Sequence, residues 1–236
     1  MKQFNPEGHT AHQFDVELGA VKNKVMQMGG LVEAMVHDGL DALLNMNSEI
    51  AERVIAADRQ VNQLELDLDE ECTRILAKRQ PAAGDLRLVL AIIKTISDLE
   101  RVGDEAEKLG RIAIKLSTAD SIPQYYGDLG HLGEHVKAML RESLDAFTRM
   151  DVQAAFSTAA KDKAIDKEYA NISRLLISHM MENPTQISTA LNVSWCARSL
   201  ERIADHACNI CEYTIYLVEG RDIRHADLDE MRKQLL

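Results

Sequence analysis

The stretch Leu99-Glu100-Arg101-Val102-Gly103-Asp104 recurs as Leu200-Glu201-Arg202-Ile203-Ala204-Asp205. Each copy sets a Glu and an Asp four residues apart, so on a helix both carboxylates leave the same face one turn from each other. The copies lie 101 residues apart, and a period of that length means two copies of one structural unit. Working outward, Val32, Ala34, Met35, Leu40, Asp41, Ala42, Met46 and Asp58 match Val136, Ala138, Met139, Leu144, Asp145, Ala146, Met150 and Asp162 at a constant offset of 104. The drop from 104 to 101 shortens the second unit by three residues in a loop.

Apolar residues at helical spacing run through both units, interrupted by 12 Gly and 4 Pro, and aromatic residues make up 4% of the 236 residues. The fold class expected is all-α: two tandem three-helix bundles related by the internal repeat. Helices are expected at about 11–45, 49–78 and 85–116, then at about 124–149, 152–182 and 185–218. Ser48 is read as an N-cap for the second of these. The units are 11–118 and 124–218, joined by the polar run 117–123, with a tail at 219–236 that leaves room for one short helix.

On the third helix, Leu88, Ile92, Ile96, Leu99, Val102, Ala106, Leu109, Ala113 and Leu116 form a core stripe. Arg87, Lys94, Asp98, Arg101 and Glu105 fall opposite and read as a solvated face. Glu100 and Asp104 sit on a flank between the two. Asp58 and Asn62 on the second helix, and Asp162 and Asp166 in the second unit, repeat the four-residue spacing.

In an antiparallel hairpin, residues equidistant from the turn reach the same level. Asp58 with Asp104 and Asn62 with Glu100 both centre on residue 81, the turn proline. Asp162 with Asp205 and Asp166 with Glu201 both centre between Asn183 and Pro184. Each hairpin therefore assembles four oxygen-bearing side chains able to ligate a hard cation. The metal candidates are Asp58, Glu100 and Asp104 in one cluster and Asp162, Asp166, Glu201 and Asp205 in the other. Charge count ranks the second cluster as the tighter. Cys208 projects from the same flank as Glu201 and Asp205, a softer ligand for that site. The Cys208–Cys211 spacing otherwise reads as core packing.

Other classes fall away. A net charge of −11 argues against nucleic acid and for cations or basic partners. The longest apolar run, Leu88 to Ile93, is too short for a bilayer and the N-terminus opens no signal peptide, so a cytoplasmic protein without membrane insertion is expected. None of the eight His has a Glu three residues before it, which disfavours a di-iron oxygenase. No phosphate-cradling Gly loop, nucleophile elbow or zincin motif occurs. Without a pocket or an activated nucleophile the chain reads as no enzyme, and the alternative held open is a metal–carboxylate protein with hydrolase or storage activity.

Met28-Gly29-Gly30-Leu31-Val32, the run from Ala77 through Arg79-Gln80-Pro81-Ala82-Ala83-Gly84-Asp85-Leu86-Arg87, and Asp98 through Asp104 closely resemble the PhoU family across nearly the whole chain. The resemblance implies a cytoplasmic negative regulator of the phosphate-starvation response, commonly a homodimer. It implies partners in the ATPase subunit of the high-affinity phosphate transporter and in a phosphate-sensing histidine kinase. The family's acidic motifs, which bind iron or other metals in some members, map onto Glu100/Asp104, Asp162/Asp166 and Glu201/Asp205. At the fourth place this chain carries Asp58/Asn62, with a neutral amide as the weaker ligand. Arg101 and Arg202, expected on water-facing helix sides, are the candidate partner-binding residues.

Overall fold

The computed structural model describes residues 12–118, 125–224, 226 and 228–235. Among them are eight α-helices and no strand: α1 His12–Leu44, α2 Ser48–Arg79, α3 Ala83–Ser117, α4 Tyr126–Arg149, α5 Val152–Ala159, α6 Asp162–Glu182, α7 Ile187–Glu219 and α8 Leu228–Leu235. The repeat is visible in the turns. Met46 and Met150, 104 residues apart, both adopt left-handed φ of 53° after α1 and α4. Each is followed by a capping side chain: Asn47 Oδ1 accepts from Glu49 N and Ile50 N, and Asp151 Oδ1 accepts from Ala154 N. The cap of α2 is thus Asn47 rather than Ser48, which is the helix's first residue.

Two hairpins form around the expected turns. α2 ends at Gln80, left-handed at φ 46°, and Pro81 prevents continuation. The second hairpin turns through Asn183 and a single 3-10 turn, Pro184–Gln186. One expected helix, 152–182, is broken: at Ala160-Lys161 the bonds tighten to Lys161 N→Thr158 O and Ala164 N→Lys161 O, so α6 starts anew at Asp162. Most of the junction at 117–123, and His225 in the tail, lie outside the described residues; the tail does supply α8.

A buried core runs continuously through both hairpins, from Phe14 on α1 to Leu217 on α7. A satellite core of Ala146, Val152, Ala155, Phe156, Cys211 and Ile215 is closed by Ile223 and α8. Across the join the two units meet in matching pairs. Leu144 packs where a Cβ on Gly29 would be, and Leu40 where a Cβ on Gly133 would be. His206 Nδ1 donates to Asp98 Oδ1 at 2.6 Å, and Ser199 Oγ donates to Glu105 Oε2 at 2.8 Å. Shifting either member of one pair by the repeat offset produces the other pair, which is what a two-fold, self-complementary interface requires.

This interface overturns part of the solvated-face reading of α3. Asp98 and Glu105 are 6% and 4% exposed, buried against α7. Asp98 also accepts from Asn209, and Glu105 from Lys108. The Lys94 ammonium lies 5.4 Å from the centroids of both Tyr213 and Tyr216, and Arg87 Nε donates to Leu217 O. A polar helix face becomes an interior surface when the facing helix supplies a donor for each carboxylate. Of the five residues, Arg101 alone remains exposed.

Candidate metal centres on the hairpins

Each hairpin carries its acidic residues on the flank where two helices face each other. In the first, Asp58 and Asn62 project from α2 toward Glu100 and Asp104 on α3. Asn62 Nδ2 donates to Asp58 Oδ2 at 2.9 Å. Burial, then Glu107 and Asp104, raise the Asp58 carboxyl above its ordinary value. Burial, then Asp104, Glu65 and Asp58, do the same to Glu100. Glu65 belongs to this constellation and is a residue the spacing argument missed. It stands seven residues after Asp58, two helical turns along one face, and its own carboxyl is raised by burial and by Asp69.

In the second hairpin, Asp162 opens α6, Asp166 follows one turn later, and Glu201 and Asp205 come from α7. One oxygen each from Asp162, Asp166 and Asp205 can be chosen so that all three lie within 4.8 Å of one another. Burial, then Asp166, Asp205 and Glu201, push the Asp162 carboxyl up to about 6. Burial and Asp166 raise Asp205 as well. Glu201 is only 8% exposed, and its Oε1 accepts from Arg198 Nη1 at 2.5 Å. One of its oxygens is therefore already tied to a cation of the protein, while Oε2 has no donor.

The donor set fits a hard divalent or iron-type ion. All donors are oxygens, and Asp58 Oδ1, Asn62 Oδ1, Asp162 Oδ1 and Glu201 Oε2 are buried with no hydrogen-bond donor facing them. Buried anionic oxygens without donors are costly, and a cation between them removes both that cost and the mutual repulsion that raises their pKa values. Asp162, Asp166 and Asp205 would hold an ion in the second cluster. Among the described residues only these three bring their ligand oxygens that close; Asp58, Glu100 and Asp104, with the Asn62 amide, are gathered more loosely on the first hairpin.

A groove of about 330 Å³ opens beside the second cluster, lined by Asp162, Asp205, Cys208, His206 and Asn209, with Arg101 and Arg202 at its edge. Arg101 thus reaches from the first hairpin to the acidic cluster of the second. Arg202, half exposed, places Nη1 3.8 Å from Glu105 Oε1 on the first. Both guanidinium groups remain accessible and both straddle the join. Cys208 does sit at the second cluster, but burial and the nearby Asp162 push its thiol up to about 12, so it is protonated at neutral pH. Cys72, Cys196 and Cys211 are buried in the core. His179 and His206 are held by Gln186 and Asp98 respectively.

The PhoU domain model matches this chain twice, at residues 25–113 and 129–214. A phosphate-specific transport system accessory protein PhoU homolog of Pseudomonas aeruginosa is 48% identical over 96% of this chain and 94% of its own. The phosphate-specific transport system accessory protein PhoU of Escherichia coli K12 is 45% identical over 100% of this chain and 97% of its own. The crystal structure of PhoU from Pseudomonas aeruginosa superposes with a TM-score of 0.87 at 50% identity, covering 89% of this chain and all of that one. The phosphate transport system regulatory protein PhoU from Streptococcus pneumoniae superposes at 0.82 with 32% identity, covering 89% of this chain and 99% of that one.

Proposed function

The chain belongs to the PhoU family, and from that premise we propose that it is the accessory regulator of a phosphate-specific transport system, acting through protein contacts rather than catalysis. In this reading it represses the phosphate-starvation genes in phosphate-rich medium by joining the transporter's ATPase subunit to a phosphate-sensing histidine kinase. It works in the cytoplasm as a homodimer. Among the described residues no helix is long and apolar enough to cross a membrane.

The observation that carries the reading is the pair of acidic clusters at equivalent positions on both hairpins, each with buried carboxylate oxygens lacking donors. With a metal bound, each becomes a rigid, charge-neutralised patch; without one, each is an anionic patch suited to a partner's Lys and Arg. Arg101 and Arg202, accessible beside them, supply the complementary sign for acidic groups of the partner. Asp162, Asp166 and Asp205 would hold the ion, which would supply charge neutralisation. The hydrolase alternative finds less support, because the groove at the second cluster pairs its carboxylates with a protonated thiol and a histidine already engaged by Asp98.

The test uses Asp104→Ala/Asp205→Ala. Asp205 is preferred to Glu201, since the latter is buried and its removal would strand Arg198. The expected result is a folded protein by circular dichroism, loss of pull-down by the transporter ATPase or the kinase, and expression of a starvation-gene reporter in phosphate-rich medium. Full repression by a folded double variant would overturn the assignment of the clusters as the signalling surface. Metal-dependent release of phosphate from a phosphoester by the unmodified protein would favour the hydrolase.

A further inference from the structure

The helix α4 carries Asp128, His131 and His135 at positions i, i+3 and i+7, which places the three side chains within an arc of about 60° on one helix face. They line a cleft of about 290 Å³ between α4 and α6, whose other wall is Glu168, Asn171 and Leu175. The imidazole rings of His131 and His135 lie 5.9 Å apart between centroids, tilted by 38°. Two imidazoles bound to one tetrahedral ion at about 2.0–2.1 Å have centroids separated by about 5 Å; these rings stand wider than that, and the three ligand atoms converge less closely than those of Asp162, Asp166 and Asp205, so binding has to draw the side chains together by rotation.

Glu168, on the opposite wall, decides which nitrogen of His135 is engaged and which is left. Both of its carboxylate oxygens lie on His135 Nδ1, at 2.9 and 3.1 Å, so Nδ1 donates and Nε2 is the ring nitrogen left to bind a metal. A carboxylate behind a ligating histidine fixes the ring and raises its basicity, the usual outer support of a metal-bound imidazole.

We propose that Asp128, His131 and His135, with Glu168 as positioning residue, form a binding site for a borderline divalent transition ion such as Zn²⁺, separate from the hairpin carboxylate clusters. Two imidazole nitrogens and one carboxylate select such ions over Mg²⁺ and Ca²⁺, whereas the all-oxygen hairpin clusters suit hard ions. Three protein ligands leave a fourth position for water or an exchangeable ligand, opening into the cleft. The first unit has no counterpart: at the equivalent positions it carries Lys24, Gln27, Leu31 and Leu64, and Lys24 is ion-paired with Glu71. The repeat scaffold therefore does not require these side chains, since its other copy folds without them.

The site is independent of the regulator reading and has its own test. Metal-stripped full-length protein is titrated with Zn²⁺ in competition with a chelating dye. His131→Ala/His135→Ala, both at exposed positions, is expected to melt like the unmodified protein without metal and to bind one Zn²⁺ equivalent fewer. Glu168→Gln is expected to keep the stoichiometry but weaken that equivalent by about 10- to 100-fold. Asp162→Asn/Asp205→Asn is expected to retain it. With Co²⁺ as probe, tetrahedral absorption bands are expected in the unmodified protein and absent from the double histidine variant. Unchanged Zn²⁺ stoichiometry and affinity in the histidine variant would overturn the proposal. So would loss of every tight equivalent in the aspartate variant.

Discussion

The two hairpins share one plan and differ in how they present their acids. In the first, the acidic face runs along an unbroken α2, where Asn62 substitutes an amide and donates to Asp58, and Glu65 adds a carboxylate one turn on. In the second, the chain breaks at Ala160-Lys161 so that Asp162 starts a helix, Asp166 replaces the amide, and Tyr169 stands where Glu65 would be. The first cluster is spread along its helix and internally hydrogen-bonded. The second brings three carboxylates to one point. The contacts at the join, by contrast, keep the same pairing in both directions but differ in side chain and closeness: His206 with Asp98 against Ser199 with Glu105, and Leu40 closer to Gly133 than Leu144 is to Gly29. The lesson is that the clusters repeat their side chains at three of four positions, Asp58/Asp162, Glu100/Glu201 and Asp104/Asp205, whereas the join repeats only the pairing, because a two-fold contact needs partners that complement each other rather than residues that match.

The strongest way to break this comparison is metal titration. Asp162→Asn/Asp205→Asn is expected to lose about 100-fold or more in Mn²⁺ affinity, about 2.7 kcal/mol, because two of three converging carboxylates become neutral. Glu100→Gln/Asp104→Asn should remove a weaker binding event, about tenfold. Calorimetry on both variants reads the ranking, and equal losses would abolish it.

The join can be probed through its two glycines. A Cβ on Gly133 would meet Leu40 Cδ2 at 2.5 Å, while one on Gly29 would meet Leu144 Cδ1 at 3.2 Å. Leu40 is buried and has little room to yield, so Gly133→Ala should cost about 1–2 kcal/mol net of the helix propensity regained. Gly29→Ala should come within about 0.5 kcal/mol of neutral, since the propensity gained offsets a milder contact. Urea unfolding measures both, and equal costs would mean that the join relaxes symmetrically.

Asn62→Asp sharpens the cluster comparison by giving the first hairpin the second's acid. Affinity for Mn²⁺ at the first cluster should rise about tenfold, near 1.4 kcal/mol, while the metal-free protein becomes less stable for want of the amide donor to Asp58. A titration of this variant in which affinity stays flat would point to geometry rather than charge as the first cluster's limit.

The smallest effect concerns Glu212 on α7, which stands where the first unit has Arg111. Burial, then Asp222, push its carboxyl from 4.5 up to about 7. The folded state therefore holds a proton that the unfolded chain has released between those values. Stability from this group falls as pH rises from about 4.5 to 7 and stays lost above. Glu212→Gln should flatten that slope and add about 1 kcal/mol or less at pH 8, after solvent screening of a half-buried group. Thermal melts at pH 5 and pH 8 read the sign; a stabilisation larger at pH 5 would contradict it.

Much of this was legible in the sequence. Helix type, the turns at Pro81 and Asn183-Pro184, and the facing of paired acids across each hairpin follow from spacing, since each hairpin is a local structure whose geometry depends on residues near in sequence. Glu65 was missed although its position two turns from Asp58 was a usable signal. The break before Asp162 had none, because Ala160-Lys161 contains neither Gly nor Pro and its backbone stays near helical dihedrals. The burial of Asp98 and Glu105 could not be read at all. A polar stripe facing water and a polar stripe facing another helix have the same period, and the choice rests on whether His206, Asn209 and Ser199, about a hundred residues away, arrive with donors. Local patterning set what each helix and hairpin is. Only tertiary packing decided which charged faces become interior, because the cost of burying Asp98 and Glu105 is offset by donors that include partners brought from the other unit.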